Sequence, residues 1–349
     1  MSAALEMAVL TRRPSAFDMI VSAFGGTNGV MEHNLDALLK QLSEREAVLG
    51  ADTPKFADYL TALGLSLYHE SRFEDAEPLL LRALAIRQQA LAVDHADVGI
   101  ALNNLAMIYL AQGRYADAEP LFSKALPIQE RAVGSDHLSI AAGLNNLAEL
   151  QRAMGKYDGA EPLYRRALNI RERQLGADHL DVSEILENLA ELYSDQGRFA
   201  DAEPVFRRVL AIQEKVLGTD HPSVANTLSN LGDLFADRDD FDKAEPLHRK
   251  ALAIRERTLS TEHPKVAESL NNLGWLYHQH GNYGRAESLY ARAIEIFERT
   301  LGPDHANVAT CLENYADLLR RTDREIDAVA LEQRVFVIRR KQDLAAQLD

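Results

Sequence analysis

The chain has 349 residues, 46% of them apolar, and a net charge of −15 from 53 acidic against 38 basic residues. That balance argues against nucleic acid and anionic lipid as partners, because both need a positive footprint. A single cysteine, Cys311, excludes an intrachain disulfide framework and a cysteine-based zinc site.

Residues 1–34 do not share the register of the rest of the chain. Their most apolar piece, Met19 to Phe24, is short and lies beside Asp18, so no signal peptide is expected. The expectation for this segment is partial disorder with a short helix near Ser15 to Phe24. No run approaches the ~18 apolar residues of a membrane helix. A soluble, cytoplasmic protein is expected.

From Leu35 onward one period governs the chain. "HADV" ends at Val98, "HLSI" at Ile140, "HLDV" at Val182, "HPSV" at Val224, "HPKV" at Val266 and "HANV" at Val308. The spacing is 42 residues without insertion, the mark of a repeat architecture. A half repeat fills 35–56. Repeats start at Ala57, Gly99, Ala141, Ser183, Ala225 and Ala267, and a capping repeat fills 309–349.

Each repeat predicts two helices. In helix A, position 4 is leucine from Leu60 to Leu312, position 7 is leucine until Tyr315, and position 8 is small, as in Gly64 and Ala106. Positions 4, 7, 8 and 11 form one helical face, and the small residue admits a close neighbour. The helix ends near position 14, often before glycine, as at Gly113 and Gly155. Helix B starts near position 18. Position 20 is alanine from Ala76 to Ala328, and position 22 is proline at Pro78, Pro120, Pro162, Pro204 and Pro246. Proline belongs in a first turn, where amides lack intrahelical partners. Pro127, deeper in helix B, predicts a kink. In the final repeat Glu325 and Glu332 replace aromatic residues, which suits a unit with no neighbour. The fold class is therefore an all-α solenoid of antiparallel helix pairs.

The leucines at 4 and 7, the small residue at 8, alanine at 20, and the aromatic at 24 together resemble the tetratricopeptide repeat. "LNNLA" at Leu102, "AEPLY" at Ala160 and the "LGxDHPxV" turn are similar to the 42-residue variant of kinesin light chains. The resemblance covers residues 35–349. It implies a right-handed superhelix with helix A lining a concave groove.

Given that orientation, positions 2, 5, 6, 9, 12 and 13 face the groove. Position 6 is Asn104, Asn146, Asn188, Asn230, Asn272 and Asn314; position 5 adds Asn103, Asn145 and Asn271. An amide offers donors and an acceptor that can hold the backbone of an extended peptide, and the resemblance implies that role. The alternative is that these amides tie neighbouring helices together. Position 9 would add selectivity through Leu65, Met107, Glu149, Glu191, Asp233, Trp275 and Asp317, with Glu184, Glu187, Asp195, Asp237, Glu268 and Glu313 nearby. The early groove reads as apolar and the later groove as acidic.

The histidines at position 39, His95 to His305, recur one per repeat and are too far apart for a metal cluster. Cys311 lacks a recurring base, and no phosphate loop occurs. No catalytic residue, metal or cofactor is expected. The expected function is a non-enzymatic scaffold or adaptor that binds an extended peptide or protein tail with a neutral or basic segment. The rivals are a receptor for a small signalling peptide and a self-associating structural module.

Overall fold

The computed structural model describes residues 35–348, with side chains from residue 41 to residue 342. Fifteen helices occupy these residues, and no strand occurs among them. The short helix expected near Ser15 to Phe24 lies outside the described residues. No described helix is long and apolar enough to cross a membrane.

A single helix, α1 (Leu35–Leu49), leads the array. Helix pairs come next as α2 (Pro54–His69) with α3 (Phe73–Ala90), α4 (Ala96–Ala111) with α5 (Tyr115–Val133), and α6 (Leu138–Ala153) with α7 (Tyr157–Leu175). After them stand α8 (Leu180–Asp195) and α9 (Phe199–Leu217). The last three pairs are α10 (Pro222–Asp237) with α11 (Phe241–Thr258), α12 (Pro264–Gln279) with α13 (Tyr283–Leu301), and α14 (Ala306–Arg321) with α15 (Glu325–Leu348). The even-numbered helices are the A helices, all of 16 residues. The chain forms two compact units, divided between Leu192 and Tyr193.

Every A helix ends at position 13, and position 15 then takes the left-handed conformation in all seven repeats. Gly113, Gly155, Gly197 and Gly281 have φ of 68° to 74°, and Ser71, Asp239 and Asp323 have φ of 57° to 60°. Within each unit the reversal lays helix B antiparallel on helix A after a three-residue turn.

The recurring histidines have a local role. In His95, His137, His221, His263 and His305 the Nδ1 atom caps the next A helix, accepting the backbone N–H two residues on at 3.1 to 3.2 Å. His179 accepts from Asp181 in the same way at 3.2 Å. Each cap satisfies one of the amides that a helix start leaves without a partner.

Helix B departs from the sequence expectation in one respect. It begins at position 17, so Pro78 is the sixth helical residue rather than a first-turn residue. The proline therefore removes a hydrogen bond from the second turn, and the helix nonetheless continues. Helix α5 likewise runs unbroken through Pro127.

Packing explains the residue pattern. The position 20 alanines, from Ala76 to Ala328, are all fully buried. Where position 8 is glycine, in the first, fifth and sixth repeats, it meets position 24 of the same repeat. A methyl group added at Gly274 would lie 2.9 Å from the Tyr290 ring, and one at Gly232 would lie 2.7 Å from His248 Nε2. Inside each unit, consecutive A helices also touch one another: α2 with α4, α4 with α6, and α12 with α14.

Candidate functional site

The A helices carry the candidate residues. In the first unit the position 5 and 6 amides are packed away rather than open: Asn103, Asn104, Asn145 and Asn146 are all buried. Asn146 Nδ2 donates to Asn103 Oδ1 at 3.5 Å, and Asn188 Nδ2 donates to Asn145 Oδ1 at 2.9 Å. In the second unit Asn314 Nδ2 donates to Asn271 Oδ1 at 3.1 Å. The recurring geometry joins position 6 of one repeat to position 5 of the repeat before it. Asn188, Asn230, Asn271, Asn272 and Asn314 remain half-buried, with part of each side chain open.

Position 9 divides in the same way. Met107 is buried, and Asn103 Nδ2 lies 3.6 Å from its sulfur, so it forms floor rather than surface. Leu65 is half-buried, and Glu149 is exposed. In the second unit Asp233, Trp275 and Asp317 are all exposed. Trp275, the only tryptophan, stands 36% open to solvent.

Much of the acidic surface is already paired. In the first unit Glu191 binds Arg152 Nη1 at 2.6 Å, and Glu184 binds the fully buried Arg171 at 3.1 Å. Glu187 is half-buried. In the second unit Glu268 holds Lys265 at 2.8 Å, and Glu313 holds Arg339 at 3.2 Å. The carboxylates whose protonation is most disturbed are Glu149 and Asp233. Although Glu149 keeps contact with solvent, desolvation by the atoms packed around its carboxylate raises its pKa against the opposing charge of Arg152, with Glu191 and Glu184 adding to the rise. Asp233 is pushed up to about 7, first by desolvation from the atoms packed around a side chain that stays 52% open, then by Asp237, while Arg255 pulls it down.

Residues behind this face complete it, and sequence spacing alone did not single them out as site residues. Tyr68 at position 12 is half-buried, and Glu149, two repeats on, raises its pKa through charge after burial. Tyr164 at position 24 is fully buried; burial and then the charge of Glu149 raise its pKa, and Arg152 lowers it by charge and by a side-chain hydrogen bond. In the second unit His248 replaces that aromatic residue and points Nε2 at Asp233 Oδ1 across 3.5 Å. His278, also buried, lies 3.6 Å from Asp317. For Tyr68 and His278 the signal that could have found them was the shared face of positions 9 and 12, three residues apart; Tyr164 and His248 lie on helix B, outside that spacing.

Among the described residues, no group of three or more His, Cys, Asp or Glu side chains could hold a metal. Cys311 is buried, and burial pushes its thiol up to about 12, away from a nucleophile's range.

Comparison with known proteins agrees with the helix pattern. The tetratricopeptide repeat model matches residues 55–131, 97–173, 139–215, 181–257, 223–299 and 281–341. BtubC (BKLC) from P. vanneervenii is 24% identical, with a TM-score of 0.55 over 66% of this chain and 92% of that one. A putative kinesin light chain from Podosopora anserina, with nearly identical repeats, is 26% identical, with a TM-score of 0.52 over 59% of this chain and 98% of that one. The apo quorum sensor NprR from B. thuringiensis shares the fold at 14% identity, with a TM-score of 0.67 over 92% of this chain and 85% of that one. Among curated proteins, none matches this sequence.

Proposed function

This chain belongs to the tetratricopeptide repeat family, and we propose that it is a non-enzymatic adaptor that binds an extended peptide or protein tail along the open face of its A helices. The observation that carries the reading is the position 9 row of the second unit, where exposed Trp275 stands one repeat from Asp233 and one repeat from Asp317. An aromatic face between carboxylates suits an arginine or lysine side chain, through cation–π contact and charge. In the first unit, Leu65, Tyr68 and Leu110 give an apolar start, and Glu149 gives an acidic continuation.

The asparagines keep a place in this reading. Asn188 spends one amide hydrogen on Asn145, which leaves its second hydrogen and its carbonyl for a ligand backbone. The same side chain thus holds the stack and meets the peptide. The preferred ligand is neutral or basic, and nucleic acid is not a ligand. A cytoplasmic location belongs to the reading, supported by the acidic, cysteine-poor composition.

The test is selection of a random peptide display library on the immobilised chain. Enrichment of sequences with lysine or arginine, whose binding weakens as salt rises, is the expected result. Enrichment of acidic sequences, or of none, counts against the proposal.

A further inference from the structure

Among the described residues only two histidines are buried, His248 and His278, and each stands behind one of the two carboxylates that flank Trp275. His248 of α11 brings Nε2 to 3.5 Å from Asp233 Oδ1 of α10. His278 of α12 brings Nε2 to 3.6 Å from Asp317 Oδ2 of α14. The carboxylates themselves are open, with side chains 52% and 55% exposed. The histidines come from different places in the repeat, position 24 of helix B and position 12 of helix A. Both nevertheless back a position 9 acid.

Packing alone does not call for histidine at either place. Position 24 is Leu80, Phe122, Tyr164, Phe206 and Tyr290 in other repeats, and position 12 is Tyr68 in the first. Neither ring nitrogen of His278 has a hydrogen-bond partner, an arrangement that costs stability.

The charges around each couple are few. Asp233 forms no ion pair with lysine or arginine. Its neighbours are Asp237 on α10 and Arg255 on α11, which also act on the couple from a distance. Asn226 of α10 and Ser269 of α12 hold that arginine, and Glu268 of α12 lies close enough to act on it. In the second couple, Tyr283 and Tyr290 of α13 set their rings edge-on to His278. Arg321 of α14 lies 3.5 Å from Asp317 and offsets part of its charge. The Asp233 couple is therefore the stronger attractor of a cation.

We propose that the two couples make the grip on a cationic segment depend on pH, holding it at neutral to alkaline pH and releasing it on acidification. The inference rests on the reading that a lysine or arginine lies over Trp275. With its imidazole neutral and its carboxylate ionised, a couple carries one negative charge. One added proton takes it to zero, whichever of the two groups holds it. Arginine keeps its own charge throughout. Acidification thus removes attraction from the protein side alone, and ligand binding expels protons. The association constant can rise by at most about tenfold per pH unit for each proton expelled. The Asp233 couple responds nearest neutral pH, because desolvation and then Asp237 hold Asp233 at about 7. Desolvation lowers the His278 pKa, so the second couple responds at more acidic pH.

Calorimetric titration of the full chain with a short blocked peptide of alternating glycine and arginine tests the couples. It is run at fixed ionic strength between about pH 8.5 and 5.5. The association constant is expected to fall at least about tenfold over that range. Heats near pH 7, in buffers of different ionisation enthalpy, are expected to report proton release on binding. Asp233→Asn with Asp317→Asn, at exposed positions, is expected to bind weakly and without pH dependence. His248→Phe with His278→Tyr, residues borrowed from other repeats, is expected to move the fall to lower pH. Parent affinity that is flat with pH, with no proton release, overturns the proposal and leaves the adaptor reading standing. So does a pH dependence that survives unchanged in either double variant. No binding at any pH overturns it together with the reading beneath it.

Discussion

The Asn188 Nδ2 atom donates to Asn145 Oδ1 at 2.9 Å, from position 6 of one repeat to position 5 of the repeat before it. Asparagine is a poor helix interior residue because its amide competes for backbone groups. Here the amide is occupied by the neighbouring helix, which offsets that cost. Replacing Asn188 by Ala strands the buried Asn145, and is expected to lower stability by about 1–3 kcal/mol. In a cycle of N145A, N188A and the double variant, urea unfolding is expected to show a coupling of about 0.5–1.5 kcal/mol. Additive losses would mean that the bond contributes nothing to stacking.

The period, the helix pairs and the aligned small residues were legible because they repeat at a fixed spacing of 42 residues. The role of "LNNLA" was only half legible. Its two amides face different neighbours, and a bond such as Asn146 to Asn103 spans 43 residues of sequence. Net charge also misled about how much acid the face offers. Glu184, Glu191, Glu268 and Glu313 look free in the sequence, yet Arg171, Arg152, Lys265 and Arg339 take them up. Met107 fell on the groove face by spacing but is buried, because the neighbouring A helices approach closely.

Backbone strain marks one site for improvement. Position 36 is glycine at Gly134, Gly176, Gly218 and Gly302, each with φ near 90°. In the fifth repeat it is Ser260, held at φ 138°. Side chains resist that conformation, at a cost of roughly 1–3 kcal/mol. Ser260→Gly is therefore expected to raise the melting temperature, read by circular dichroism. A fall in melting temperature would show that the serine contributes more than its backbone costs.

Pro127 is a second such site. It is exposed and lies inside α5, where Ala85, Ala211 and Ala253 occupy the matching position of other repeats. Proline is about 3 kcal/mol less favourable than alanine in a helix interior. Pro127→Ala is expected to stabilise the protein by up to about that amount in denaturant unfolding. An unchanged midpoint would mean that α5 already relaxes around the ring.

His248 makes stability depend on pH. Burial, and then the charge of Arg255, pushes its pKa down to about 4. The unfolded chain takes up this proton below about 6.5, while the folded chain refuses it until about 4. Stability is thus fully present above pH 6.5 and is lost as pH falls toward 4, by at most about 3 kcal/mol. Asp233 works in the opposite sense. Its folded pKa of about 7 stabilises at low pH and loses that contribution as pH rises through 7. Its side chain is half open, so the fully buried imidazole dominates. His248→Phe, matching Phe122 and Phe206, removes the histidine contribution. Its stability relative to the parent is expected to improve as unfolding is measured at pH 7, then 5.5, then 4.5. A difference that stays flat across that range contradicts the assignment.

An extended, neutral or basic segment lying on the A helices would pass over Trp275, whose emission reports it without interference because it is the only tryptophan in the chain. The decisive measurement is a titration of Trp275 emission with a peptide recovered from the display selection, in the parent chain and in Asp233→Asn with Asp317→Asn. Binding on this face predicts saturable quenching or a spectral shift, at least several-fold weaker affinity in the double variant, and further weakening with salt. A peptide that binds with full affinity to both proteins and leaves Trp275 emission unchanged would contradict it.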